Sequence, residues 1–420
     1  MASPLGWRGP RFLLLILGFV TTATVHKDPV APMPPADTLP PQRFLTYGSA
    51  CQECGFNNQR LNILPAIGLA RAAGRTLVVR NVVCSKHSAC EWSNATGDGI
   101  IEVLGPRAWH LACNKVAIPR QFCDAERVAL RPRPPRFQAA ELFFHAAWLA
   151  RMTQGGGFMW ADDFRRRFPL LHGDATAWVF AQRRPGAPFS QIELAAPVWH
   201  FHHLHKGMPA LPSSKTARPP RPPTEPAVYT PWLHRLAKSL VDNMGLNSTY
   251  VGLHVRLGDR ITSNAKFDGV AMAKWVYAKT KDLPLTAPGR QKPGLFLATT
   301  RANLTALTEV LSPYFDVYSS LPVDELIAHN PRLLPPGVPR ELSVDMHMVL
   351  EQLVCAHADA FIGSQFSTVS THVQVMRAFG SQPETEKTWG RRGPMLSILF
   401  NINARFTSRH KGKSLPRPRL

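Results

Sequence analysis

The stretch "HVRLGDR" follows directly on the apolar run "TYVGL", so His254, Arg256 and Asp259 stand at the end of what reads as a buried strand. Charged side chains are costly to bury unless paired. The cluster therefore belongs at the strand's mouth, where α/β sheets bind ligands. Arg256 can fork two donors onto a phosphate, and its charge stays on near neutral pH. Asp259 could orient that arginine or grip a sugar hydroxyl. His254, two residues before Arg256, falls on the same side of the strand. A plain strand-end salt bridge from Arg256 to Asp259 is the reading without a ligand.

Two further stretches have the same character. In "ECGFNNQR" a carboxylate, Glu53, precedes Gly55, Phe56, Asn57 and Asn58 between an apolar strand and a helix. Glycine lets a backbone approach a ligand closely, the asparagines offer amide donors, and a helix N-terminus favours anions. The same residues would also suit a simple strand-to-helix turn with an asparagine cap. In "ADAFIGSQFSTVS" a strand ends near Gly363 and a helix opens with hydroxyls at Ser367, Thr368 and Ser370. N–H groups and hydroxyls there can cradle a phosphate, or only cap the helix. No acidic pair is arranged to hold a metal. Arginine and helix dipoles would then offset diphosphate charge in place of a divalent ion. The histidines of "WHFHHLHKG" have no acid or cysteine nearby to complete a metal site, and read as a surface or acceptor-groove cluster.

The elements that must position these stretches follow from periodicity. "RFLTYGS" reads as a strand, "LNILPAIGLARAAG" as a helix stopped by Gly74, and "RTLVVRNVV" as the next strand, a βαβ unit. "AAELFFHAAWLARM" suggests helix and "ATAWVFAQ" helix or strand. From "PWLHRLAKSLVDNMG" onward strands and helices alternate: "TYVGLHVR", "GLFLATT", "FDVYSS" and "DAFIGS" are strands, while "RANLTALTEVLSP", "SVDMHMVLEQLVCAHA" and "STVSTHVQVMRAFG" are helices. Alternation of this kind argues parallel, doubly wound sheets. All three chemistry-bearing stretches fall at carboxyl ends of strands, where such sheets bind ligands. The expected fold is α/β with two Rossmann-like domains facing across a cleft.

Six segments follow. Residues 1–25 carry Arg8 and Arg11 before a short apolar core, a signal peptide or signal anchor. Residues 26–42 form a proline-rich stem. Residues 43–208 form an N-terminal Rossmann-like, acceptor-side domain, 209–231 a proline-rich linker or insert, 232–400 a C-terminal Rossmann-like domain and 401–420 a basic, disordered tail. The leader, the sequons at Asn94, Asn247 and Asn303, and six of seven cysteines lying between Cys51 and Cys123 agree on the secretory lumen. There the six would form disulfides in a pairing that the spacing leaves open. A net charge of +21 attracts anions. Zinc-finger spacing, RNA-binding signatures and basic reading helices are missing from the sequence, which argues against nucleic acid as partner.

At these residues the chain resembles the GDP-fucose-dependent fucosyltransferases of GT-B fold. The likeness rests on "GFNNQR", on His254, Arg256 and Asp259 as an H-x-R-x-x-D motif, and on "EQLVCAHADAFIGSQFSTVS". The last is most similar to the protein O-fucosyltransferases that modify thrombospondin type 1 repeats. It is strong over roughly 240–380 and 44–80 and cannot be followed through 85–230. The resemblance implies an inverting transfer of fucose from GDP-fucose to a Ser or Thr hydroxyl, with no metal and no other cofactor. Arg256 would stabilise the departing β-phosphate, Ser367 and Thr368 would contact the diphosphate, and His254 would border the nucleotide. Glu351 stands where the family has an aspartate near the guanine and ribose. Gly55, Phe56 and Asn57 would lie beside fucose and phosphates, and Glu53 would be the base. In the family the acid directly precedes the glycine, whereas here Cys54 intervenes, and the 209–231 segment has no counterpart.

The partners so implied are GDP-fucose and a folded, disulfide-rich protein domain bearing Ser or Thr, met in the endoplasmic reticulum rather than the Golgi. Two other readings stay open. One is a fucosyltransferase acting on a glycan or polysaccharide; the other is a non-catalytic lumenal protein of the same fold that holds anionic glycans.

Overall fold

The computed structural model describes residues 42–47, 56–83, 95–96, 136–154, 157–169, 178–181, 196–201, 227–246, 249–257, 267–286, 289–365, 367–378 and 396–400. The leader, nearly all of the stem, the six clustered cysteines, most of the 209–231 segment and the tail lie outside them.

The first half forms a βαβ start. β1 (Phe44–Tyr47) is followed by a short helix α1 (Phe56–Arg60), then α2 (Ile63–Ala73) and β2 (Thr76–Val79). Gly74 ends α2 at φ 61°, the left-handed conformation in which a side chain would be strained. The expectation of one strand through "RTLVVRNVV" is corrected. The run breaks at Arg80 and Asn81, and β3 (Val82–Val83) joins a separate antiparallel sheet with β4 (Ala95–Thr96) and β5 (Arg136–Gln138), in the order β3-β5-β4. "AAELFFHAAWLARM" also divides. A 3-10 turn at Ala140–Leu142 precedes α3 (Ala146–Met152), because Phe144 leaves the helix to bridge Tyr229. β6 (Phe158–Trp160), α4 (Ala161–Arg167), β7 (Trp178–Ala181) and β8 (Val198–Phe201) complete this half. "ATAWVFAQ" is thus a strand.

The second half alternates, with α6, α8 and β13 added to the elements expected from periodicity: α5 (Pro231–Asn243), β9 (Tyr250–His254), α6 (Gly269–Thr280), β10 (Gly294–Ala298), α7 (Arg301–Leu311), β11 (Asp316–Tyr318), α8 (Val323–His329), α9 (Val344–His357), β12 (Ala360–Ser364), α10 (Thr368–Ala378) and β13 (Leu396–Phe400). Local chemistry sets the boundaries. Pro231 opens α5 where its missing N–H costs nothing. Asp268 and Ser343 cap α6 and α9 by accepting from Ala271 N–H at 2.8 Å and Met346 N–H at 3.2 Å.

Both main sheets are wholly parallel and five-stranded, ordered β6-β2-β1-β8-β7 and β11-β10-β9-β12-β13. Counted within each half, the first follows the order 3-2-1-5-4 and the second 3-2-1-4-5, so the direction of winding reverses between β1 and β8, and between β9 and β12. The crevice at such a reversal is where doubly wound sheets bind ligands. Two Rossmann-like sheets in one chain is the GT-B plan expected from the sequence.

Strands β9 and β12 are buried along their whole length, as strands covered on both faces must be. Along β9, Val251 and Leu253 enter one apolar core with α6 and α7, while Tyr250, Gly252 and His254 face the other way. A Cβ at Gly252 would stand 3.0 Å from the Cα of Cys355, so glycine lets α9 lie directly on the strand. The second core includes residues of β1, α2, α5 and α9, and the two halves share it. Arg377, near the end of α10 and buried, closes the arrangement. Its guanidinium donates to the carbonyls of Ala356, Ala358 and Asp359 and, at 2.7 Å, to Ser397 Oγ. Among the described residues no helix is long and apolar enough to cross a membrane.

Candidate active site

The reversal between β9 and β12 gathers the residues singled out by type and spacing. His254 lies opposite Gly363 in the strand register. Its Nδ1 is 2.6 Å from Ser370 Oγ, in the first turn of α10. Burial, with Arg256 nearby, pushes the imidazole down to about 3, so His254 is neutral at physiological pH. Ser364 joins the strand ends: its Oγ donates to the His254 carbonyl at 3.2 Å and accepts from the Arg256 N–H at 2.9 Å. The half-buried Arg256 is therefore fixed at its own backbone. Ser367 N–H turns back to the Ser364 carbonyl at 3.4 Å, and Thr371 bonds the Ser367 carbonyl through N–H and Oγ1. Ser367 Oγ is buried with no hydrogen-bond partner, and Thr368 begins α10 half-buried. A guanidinium-bearing strand end, a neutral imidazole, hydroxyls and a helix start thus converge, and together they can bind a multiply charged phosphate.

Gly363 makes this closeness possible. A Cβ there would lie 2.6 Å from Ser370 Oγ and 2.7 Å from Phe361 Cζ. The sequence reading passed over Ser364. Its only signal was a hydroxyl residue ending a strand next to a glycine.

Glu351 sits at mid-helix in α9. Its Oε1 accepts from Ser320 Oγ at 2.6 Å, and burial pushes the carboxyl up to about 7 although this hydrogen bond opposes the shift. Nearby Cys355 is buried, and its thiol is raised well above the usual range, mainly by burial.

The "GFNNQR" stretch reaches the second half through α9. Phe56 N–H donates to Asp345 Oδ1 at 3.2 Å, and Asn57 Nδ2 lies 3.1 Å from Met348 Sδ. The Phe56 ring is fully buried, stacked on Phe143 at 4.8 Å and close to Phe144 and Tyr229, which leaves no ring surface for a ligand. Asn57 is 2% exposed, and its Oδ1 is buried without a partner. Arg60 is also buried. Desolvation lowers its pKa against the pull of Tyr229, and its side chain lines a cavity of ≈ 20 Å³ with Tyr47, Gln59 and Arg80. Glu53, Gly55 and Asp259 lie outside the described residues. Of the "WHFHHLHKG" histidines the described one, His200, is buried in β8 with Nδ1 2.6 Å from Thr46 Oγ1. It belongs to the core rather than to a surface cluster. Among the described residues no group of three or more His, Cys, Asp or Glu could hold a metal ion.

No protein-family model and no curated protein sequence matches the chain. Its structure is similar to that of POFUT1 in complex with GDP-fucose, at 13% identity and TM-score 0.47 over 86% of this chain and 99% of that one. It is likewise similar to POFUT1 in complex with GDP, at 14% identity and TM-score 0.48 over 86% and 99% of the two chains. A third similar structure is NodZ alpha-1,6-fucosyltransferase soaked with GDP-fucose, at 15% identity and TM-score 0.38 over 80% and 92%. These structural neighbours are fucosyltransferases.

Proposed function

We propose that the chain is an inverting fucosyltransferase. It moves fucose from GDP-fucose to a Ser or Thr hydroxyl of a small, folded, disulfide-rich protein domain, in the lumen of the endoplasmic reticulum. The observation that carries this reading is the convergence of His254, Arg256, Ser364, Ser367 and Ser370 at the reversal of the second sheet. The motif resemblance supplies the identity of the donor.

In this mechanism the acceptor oxygen attacks the anomeric carbon as the bond from that carbon to the β-phosphate oxygen breaks. GDP leaves with the bonding pair. A diphosphate departs without a proton if its new charge is neutralised, which is the part given to Arg256 and the start of α10. The acceptor proton passes to one carboxylate, assigned to Glu53. His254 contributes hydrogen bonding and shape, because its imidazole is uncharged at working pH. No step calls for a metal ion. The +21 net charge favours an anionic donor over a neutral one.

The test is transfer from GDP-fucose to folded thrombospondin-type repeats, beside a panel of glycan acceptors. Arg256→Ala should lower kcat by about 100- to 1,000-fold, the usual loss for one stabilising donor, while the melting curve stays put. Full activity in that variant removes Arg256 from the chemistry. Protein that binds GDP yet modifies no acceptor of either kind overturns the assignment, and transfer to glycans alone corrects the acceptor.

A further inference from the structure

One face of α9 makes polar contacts with the first half of the chain and with the segment that precedes α5. Asp345, Met348 and Gln352 follow each other at helical spacing. They meet, in turn, the Phe56 N–H at 3.2 Å, the Asn57 amide at 3.1 Å and the Tyr229 hydroxyl at 3.4 Å. Phe56 and Asp345 are 289 positions apart in the sequence. The first N–H groups of a helix have no acceptor within it, and for Phe56 the acceptor comes from a distant helix.

Asp345 is itself held in place. It is 2% exposed, and its second oxygen accepts from Gln138 Nε2 at 3.3 Å. The other end of that amide, Gln138 Oε1, accepts from Ser343 Oγ at 2.6 Å, and Ser343 caps the same helix. Cap, amide and carboxylate thus form a closed chain running from α9 to β5 and back. At its other end α9 lies on β9 through the gap left by Gly252. The helix therefore links Phe56 and Asn57 to the strand that bears His254.

We infer that Asp345 is a positioning residue, whose buried carboxylate sets the register of Phe56 and Asn57 against the His254–Arg256 strand end through the Phe56 N–H. The catalytic side of this inference rests on the fucosyl-transfer reading; the hydrogen bond does not. Misplacing a reacting constellation by about 1 Å can cost 100-fold in rate. The bonds of Asp345 described here run to Phe56 and Gln138, so its loss should weigh on the rate rather than on donor affinity.

The experiment compares full-length wild type, Asp345→Ala and Asp345→Asn by three measurements: amide hydrogen exchange at Phe56, GDP affinity by calorimetry, and transfer kinetics. In D345A the Phe56 amide should lose its protection and kcat should fall about 100-fold, with GDP affinity unchanged. D345N keeps an oxygen within reach of the Phe56 N–H and should restore most of both. Unchanged protection or unchanged kcat in D345A overturns the inference, as does GDP affinity lost in step with kcat. Should D345A fail to fold, Gln138→Met asks the same from the other side of the carboxylate. It should raise Phe56 exchange and lower kcat while GDP still binds, and wild-type values for either overturn the inference. If the wild type itself transfers nothing, the functional reading fails, and the exchange data still decide the hydrogen bond.

Discussion

Gly363→Ala is a small change with a large expected effect, because the added carbon has nowhere to go. It would sit 2.6 Å from Ser370 Oγ, 2.8 Å from Ser370 Cβ and 2.7 Å from Phe361 Cζ. Reaching ordinary contact at 3.4 Å means a retreat of about 0.8 Å by groups in a close-packed interior. Overpacking of this kind costs about 1–3 kcal/mol. Driving Ser370 away also breaks its 2.6 Å contact with His254, for about 1 kcal/mol more. A total of about 2–4 kcal/mol should lower Tm by roughly 2–5 °C in a folded unit of this size. Calorimetric titration with GDP should show about tenfold weaker binding, since roughly 1.4 kcal/mol of binding energy is a factor of ten. Ser370→Gly removes the atoms in the way, so the double variant should recover part of the lost Tm, a coupling that a double-mutant cycle isolates. It should not recover GDP affinity, because the hydroxyl is gone. A G363A protein that melts and binds GDP as wild type does would refute the reasoning.

Other expectations follow from buried ionisable groups. His254 and His234 are held neutral by burial, at about 3 and about 4. The unfolded chain therefore takes up protons below pH 6.5 that the folded chain refuses, and at pH 5 each should have removed about 2 kcal/mol of stability. Urea midpoints at pH 7.5 and pH 5 measure this, and H234F should weaken the dependence. Glu351 works in the opposite sense. Its raised carboxyl, at about 7, gives stability that is greatest below pH 4.5 and is lost as the pH rises through 7. E351Q should accordingly be more stable than wild type at pH 8, and equal to it at pH 4.5. Cys355, buried with a raised thiol pKa, should stay unlabelled by a thiol reagent in native protein and react once urea is added, as peptide mass mapping will show.

The second sheet was legible because its signals are local. β9 and β12 are short, largely apolar runs, the helical stretch that becomes α9 opens at Ser343, and the alternation leaves few topologies open, although α6 and β13 were not read from the sequence. The meeting of His254 with the start of α10 followed from the rule about strand ends. The link through Asp345 and Gln138 was not legible. Its partners come from stretches 207 and 289 residues apart, and neither residue disturbs the periodicity of its own element. Tyr229 was hidden similarly, in a segment that reads as proline-rich loop, yet it packs edge-on against the His372 ring. The break of "RTLVVRNVV" at Arg80 and Asn81 was missed because β propensity continues across it. What ends the strand is the Asn81 side chain, whose Oδ1 accepts from the Ala140 N–H at 3.2 Å and whose Nδ2 donates to Asp162 at 3.3 Å.

The guanidinium of Arg377 grips three carbonyl oxygens between residues 356 and 359. Main-chain oxygens are the same whatever side chains surround them, so the anchor does not read the letters of the segment it holds. Evolutionary drift can rewrite much of that bend without loosening it, while position 377 itself has no freedom, because lysine lacks the planar fork. Among descendants of this chain, an unvarying arginine should therefore outlast the sequence it clasps.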